Sequence, residues 1–354
     1  MSRIPPRGLL TSPAALASVY DVALLDLDGV VYIGASGVEH AAEALRAARA
    51  RGMRTAFVTN NASRTPQQVA EHMAALGVPA DPEDIVTSAQ AAAHLLADML
   101  EALAPVLVIG GEGLRQALQE RGLRPVSSMA EHPVAVAQGF APQVDWAMLA
   151  EAAYAVASGL PWVATNLDLT LPTPRGLAPG NGSLVQVVAS VTGREPVAAG
   201  KPAPPLHRET VERTGASRPL VVGDRLDTDI AGARNTGTDS LLVLTGVTRE
   251  ADLLGLGPAQ RPSYLGRDLR SLLEPAPRVQ AGVREASCAG WRVVLDPQPR
   301  VIAVADAAGP VVSSDGRMHA LRALCCLSWA RLDAGAPPLG AEVLDLLPGS
   351  PPAG

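Results

Sequence analysis

Aromatic residues make up only 3% of this 354-residue chain, and there are only three cysteines. With so few rings, a core has to be built from Ala, Val and Leu. The hydrophobic share of 47% against 18% charged residues is enough for that and describes a globular chain. Cys325 and Cys326 are neighbours and Cys288 stands apart, so no C-x-x-C spacing occurs. An odd count without that spacing excludes a disulfide framework and a cysteine zinc site, and fits a reducing compartment. Positive charge is also scarce. The net charge of -6 leaves no broad basic field for nucleic acid or an anionic membrane. No apolar run approaches the roughly 18 residues of a spanning helix. Met1 to Pro13 carries two Arg and no apolar stretch of the kind a secretory signal needs. A cytoplasmic protein without nucleic-acid or membrane partners is the expectation. Any affinity for phosphate must come from a few placed cations or a metal.

What the chain does have is organised around Val22 to Val31, where four apolar residues run into Asp26-Leu27-Asp28-Gly29. A short apolar run broken by glycine reads as a strand buried on both faces, running into a loop. In extended backbone, residues i and i+2 point the same way. Asp26 and Asp28 can therefore converge at the strand's end, where two carboxylates repel unless a cation or a shared proton intervenes. The alternative on this segment alone is a solvated polar turn.

The rest of the chain alternates short apolar strands with Ala-rich helices, the α/β signature. A second strand ends in Thr59-Asn60-Asn61, followed by a helix with Thr65 as N-cap and Pro66 at its first position. From Val106 the pattern restarts as a second α/β unit, and the Pro- and Gly-dense stretch from Leu171 to Ser183 reads as loop. Gly200-Lys201-Pro202 precedes another helix, and a strand ends in Gly223-Asp224, with Asp227 and Asp229 in the next turn. Pro275 to Val283 reads as a linker. Beyond it come two antiparallel strands around Pro297-Gln298-Pro299, a helix from Gly316 to Asp333 and a last strand from Ala341 to Leu347. The fold class is α/β: a Rossmann-like parallel-sheet core (14–87 and 184–275), an inserted α/β cap (88–183) and a small α+β C-terminal domain (284–354). In such sheets ligands bind outside the carboxyl ends of the strands.

The residues gathered there form a coherent chemistry. Asp26 and Asp224 offer hard oxygens to Mg²⁺. Lys201 and a metal can neutralise a phosphoryl group, and the Thr59 hydroxyl with nearby N–H groups can bind its oxygens. A carboxylate nucleophile with a second carboxyl as proton shuttle completes the set.

At these positions the sequence resembles the haloacid dehalogenase superfamily of phosphatases. Its four motifs match Asp26-Leu27-Asp28-Gly29, Thr59, Lys201, and Gly223-Asp224 with the acidic residues after it, in the right order. The α/β unit between the second and third motifs places the chain with the class IIA cap branch. Asn166-Leu167-Asp168 and Pro179-Gly180-Asn181-Gly182 match that branch's cap-to-core segment. The resemblance covers about Val22 to Leu273, and the added C-terminal segment resembles the longer bacterial glycerol-3-phosphate phosphatases. It implies Asp26 as nucleophile and Asp28 as acid–base. It implies Mg²⁺ on Asp26, Asp224 and the Asp28 carbonyl, with Asp229 acting on the metal through water, and phosphate or substrate binding by Thr59, Asn60, Lys201, Asn166 and Asp168. The substrate is a small phosphorylated metabolite. Glycerol 3-phosphate is preferred, with phosphoglycolate, sugar phosphates or nucleotides as the alternatives, and a homo-oligomer is compatible with the pattern. An alternative of another class is a ligand-sensing regulatory protein that keeps the phosphatase core.

Other signals read as structural. Gly110-Gly111-Glu112-Gly113 reads as a tight turn before a helix, Arg64 and Arg225 as surface positions, and the helical cysteines as small buried apolar residues. No Gly-rich acyl-CoA loop is visible in the C-terminal domain, which reads as a packing or oligomerisation module.

Overall fold

The computed structural model describes residues 8–173, 175–295, 301–306 and 315–348. They fall into two compact units. One gathers the chain up to Ile33, Gly37–Arg54 and everything from Arg218 onward; the other gathers Gly34–Ser36 and Thr55–Ser217.

In the first unit, Tyr264–Gly266, Asp239–Val243, Pro219–Gly223 and Val22–Leu25 lie side by side as parallel strands, in that order. Val22–Leu25 is buried at every position, as a doubly covered parallel strand must be. The C-terminal segment belongs to this unit. Val279–Ala281, Glu285–Cys288, Trp291–Leu295 and Val301–Asp306 form an antiparallel sheet, and the helix Gly316–Asp333 shares one apolar core with Leu242, Leu253 and Leu265 of the parallel-sheet region. Arg261 fixes that helix from below. Its guanidinium is 1% exposed, forks onto both carboxylate oxygens of Asp333 at 2.9 and 2.8 Å, and lies 5.2 Å from the Trp329 ring centre. Cys288, Cys325 and Cys326 are free and buried, and burial pushes the Cys288 and Cys326 thiols up to about 11.

The second unit holds the parallel pair Arg54–Thr59 and Ile85–Thr87. It also holds a five-stranded parallel sheet in the order Val197–Ala198, Trp162–Ala164, Ala135–Gln138, Pro105–Ile109, Arg124–Val126. The helices Trp146–Ala157 and Asn181–Thr192 pack on this sheet around Leu107, Val136, Trp162 and Val185. Thr65 caps the helix Pro66–Ala75 through a reciprocal box with Gln68, which satisfies two orphan N–H groups at once.

Three readings of the sequence are corrected here. The stretch from Leu171 contains a hairpin, Thr170–Thr173 against Gly176–Pro179, with Gly176 at φ 117°. A two-stranded ribbon is all edge and tolerates proline. The linker after Leu273 supplies two strands, Pro275–Ala276 and Val279–Ala281. Ala341–Leu346 is a 3₁₀ helix and not a strand. The Pro297-Gln298-Pro299 turn lies outside the described residues.

Candidate active site

The first unit assembles carboxylates. Register pairs Leu25 with Val222, and the Asp26 N–H donates to the Val222 carbonyl at 2.9 Å. Asp26 and Asp224 therefore leave adjacent strand ends. A turn of π-helix, Leu226–Ile230, follows Asp224 and brings Asp229 back, its Oδ2 accepting from the Arg225 N–H at 3.1 Å. One oxygen from each of Asp26, Asp224 and Asp229 lies within 4.8 Å of the other two. Asp224 and Asp229 are fully buried and Asp26 is half-buried. The N–H of Leu27 donates to Asp26 Oδ1 at 2.8 Å, and that of Val247 to Asp224 Oδ2 at 2.6 Å.

Glycines make room for the trio. Gly29 has φ +83°, where a side chain is strained, and a Cβ there would meet the Asp224 carboxylate at 2.5 Å. A Cβ on Gly246 would also overlap Asp224, and one on Gly223 would overlap Asp229. Gly246 and Val247 carry no motif of their own; the signal for them is a glycine shortly after the strand Asp239–Val243. Three hard oxygen donors held this close, with backbone kept thin around them, fit Mg²⁺. Asp28 is exposed, and its carboxylate is not one of the trio.

The second unit assembles amides around a lysine. Lys201 is the only lysine among the chain's 29 Lys and Arg residues. It is 3% exposed, and its Nζ donates to the Val58 carbonyl at 3.2 Å. The Asn60 side chain grips the Lys201 backbone twice: Oδ1 accepts from its N–H at 2.8 Å and Nδ2 donates to its carbonyl at 3.0 Å. The same Nδ2 donates to Asp168 Oδ2 at 3.0 Å. Asn166 Nδ2 donates to the Asn60 carbonyl at 2.8 Å, and its Oδ1 accepts from the Asp168 N–H at 3.1 Å. Thr59 is 3% exposed, and its hydroxyl oxygen accepts from the Asn61 N–H at 3.1 Å while keeping its own proton to donate. Of the residues grouped as phosphate ligands from the sequence, Asn60, Asn166 and Asp168 thus have side chains engaged with the chain itself.

The glycine cluster at 110–113 serves packing. A Cβ on Gly113 would meet the carbonyls of Arg64 and Ala62 at 2.5 and 2.7 Å. A second ligand-rich group, His94, Glu209 and Glu212, also has one ligand atom from each member within 4.8 Å of the other two. Its buried member Glu209 is already bonded to Arg121 and Arg213.

Residues 23–124 match the haloacid dehalogenase-like hydrolase family and residues 198–272 a HAD-hydrolase-like family. The D-glycerol 3-phosphate phosphatase of Mycobacterium tuberculosis is 50% identical over 258 residues, spanning 73% of this chain and 72% of that protein. The chain is a haloacid dehalogenase-like hydrolase. A 5′-nucleotidase of Bacillus subtilis is 40% identical over 64% of this chain and 88% of its own length. The crystal structure of glycerol phosphate phosphatase from Mycobacterium tuberculosis in complex with magnesium superposes with a TM-score of 0.79 at 43% identity, covering 89% of this chain and 92% of that one. A thermostable NPPase from Geobacillus stearothermophilus covers 97% of itself but only 71% of this chain, at 36% identity and a TM-score of 0.65. The match to the NPPase leaves more than a quarter of this chain uncovered.

Proposed function

We propose that this hydrolase is a Mg²⁺-dependent phosphomonoesterase that cleaves glycerol 3-phosphate through an aspartyl-phosphate. The observation that carries the substrate is coverage. The structural match extends over 89% of the chain for the glycerol phosphate phosphatase and over 71% for the thermostable NPPase.

Asp26 attacks phosphorus in line; its carboxylate oxygen forms the new P–O bond as the bond to the glycerol oxygen breaks. Asp28 gives its proton to the leaving alkoxide. It then takes a proton from the water that attacks the acyl phosphate, releasing inorganic phosphate and restoring Asp26. The exposure of Asp28 fits a group that must exchange protons with solvent and product. Asp26, Asp224, Asp229 and the Asp28 carbonyl would hold Mg²⁺, which when bound offsets charge on the phosphoryl oxygens and on the carboxylates themselves. Thr59 and Lys201 bind the phosphoryl oxygens, the lysine as a compact point charge. The enzyme works in the cytoplasm, which the three free, buried thiols support. No described helix is long and apolar enough to cross a membrane.

Phosphate release from a matched panel of esters tests this reading: glycerol 3-phosphate, phosphoglycolate, sugar phosphates, nucleoside monophosphates and p-nitrophenyl phosphate. Glycerol 3-phosphate should show the highest kcat/KM, EDTA should silence all of them and Mg²⁺ should restore them. A different ester preferred by about tenfold or more would reassign the substrate. Turnover of none would end the phosphatase reading.

A further inference from the structure

We propose that Asp168 is a positioning residue that acts through Asn60 to fix the backbone of Lys201, and so couples the 170–179 hairpin to the phosphate-binding lysine. The inference rests on the reading of Lys201 as a phosphoryl ligand and goes beyond it by naming what aims that lysine.

The two ends of the Asn60 side chain are nearly the same shape, but one donates and the other accepts. The Lys201 backbone also offers one donor and one acceptor, so a flipped Asn60 would set donor against donor and acceptor against acceptor. A third contact reinforces the orientation that the Lys201 backbone selects. Asp168 supplies it, because an ionised carboxylate only accepts. Its Oδ2, 3.0 Å from Asn60 Nδ2, requires the NH₂ end there and leaves Oδ1 for the Lys201 N–H. Gly200 shows how closely the two strands of chain approach, since a Cβ there would meet Asn60 Oδ1 at 2.5 Å and the Thr165 carbonyl at 2.5 Å.

Asp168 is itself held at the foot of the hairpin. The Gly182 N–H donates to its carbonyl at 2.9 Å, and the Gly180 N–H to the Leu169 carbonyl at 2.9 Å. The hairpin beyond is exposed at its second strand, with Leu177 at 75%. A shift of the hairpin base therefore reaches Lys201 through two hydrogen bonds and one rigid amide.

The unique lysine makes the test direct. Full-length protein labelled with ¹⁵N-lysine should give one backbone amide signal, that of Lys201. In Asp168→Asn, and in Asp168→Ser as a second variant, that amide should exchange with deuterium faster by about tenfold or more. An unchanged exchange rate overturns the proposal whether or not the enzyme turns over. Wild-type inactivity would instead bring down the functional reading and leave this measurement intact.

Kinetics supply the second arm. Asp168→Asn should lower kcat/KM for glycerol 3-phosphate and p-nitrophenyl phosphate by the same factor, about 10- to 100-fold. The Asp168→Ala/Asn60→Ala double variant should be no worse than Asn60→Ala alone. A loss confined to one ester would make Asp168 a reader of the leaving group. Losses that multiply in the double variant would show that it acts independently of Asn60. Either result overturns the proposal.

Discussion

Among the described residues, two groups of side chains have the spacing of a metal site, and their surroundings separate them. Asp26, Asp224 and Asp229 in the first unit bring three carboxylates together at neighbouring strand and turn positions, with backbone N–H donors on them and glycines clearing the space. His94, Glu209 and Glu212 in the second unit are as close to one another, but Glu209 Oε1 accepts from Arg121 and Arg213 at 2.8 Å each, and Oε2 meets His94. The second group carries its own cations. A divalent ion there would have to displace two guanidinium groups from a 5%-exposed carboxylate, which is costly once those charges have been desolvated together. Proximity of ligands thus says little about metal until the charge around them is counted.

The widest separation between the two groups should come from neutralising one carboxylate in each. Asp224→Asn should lower Mg²⁺-dependent turnover at least about a thousandfold, because it removes an oxygen donor at the charge-bearing centre. Glu209→Gln should leave the Mg²⁺ requirement where it was. The comparison fails if the two substitutions shift the Mg²⁺ titration of activity equally.

A smaller effect should follow from crowding the first group without touching its charge. In Gly246→Ala the new methyl would sit inside van der Waals contact of the Asp224 carboxylate. The expected outcome is a rise of about 10- to 100-fold in the Mg²⁺ concentration for half-maximal activity, the scale seen when a ligand's support is disturbed. A normal Mg²⁺ titration would show that the trio tolerates displacement.

The same contrast explains what the sequence discloses. The acidic trio is legible because each member ends a short apolar strand or opens the next turn, so local pattern and glycine breaks mark it. Asn60, Asn166 and Asp168 are legible as a group, but not their use. Nothing local says that the Asn60 amide is spent on a backbone 141 residues away. The His94–Glu209 contact spans 115 residues and has no motif at all. In the C-terminal segment, Glu-Ala-Ser-Cys at 285–288 has none of the β-branched or aromatic residues that advertise a strand. Its cross-strand partners decide it. Ala341–Leu347 misleads for the opposite reason. Its buried residues Val343 and Leu347 are four apart, a helical spacing inside a short apolar run.

The smallest effect is one of stability, and it tests whether the second group is charge-balanced. Burial disfavours the ionised form of Glu209. The hydrogen bonds from His94 and Arg213 and the charges of Arg121 and Arg213 outweigh it and hold the carboxyl below its ordinary value of 4.5. A carboxylate depressed on folding stabilises the native state at pH above its unfolded value, and that stabilisation is lost as pH falls through the folded value. Glu209→Gln should therefore cost about 1–3 kcal/mol at neutral pH, the range for a buried group deprived of charged hydrogen bonds. The gap between its Tm and that of the unsubstituted protein should narrow as pH is lowered from about 4.5. A gap that keeps its size from pH 7 into acid would mean that Glu209 contributes by shape alone. Its arginines would then not be doing the work of a cation.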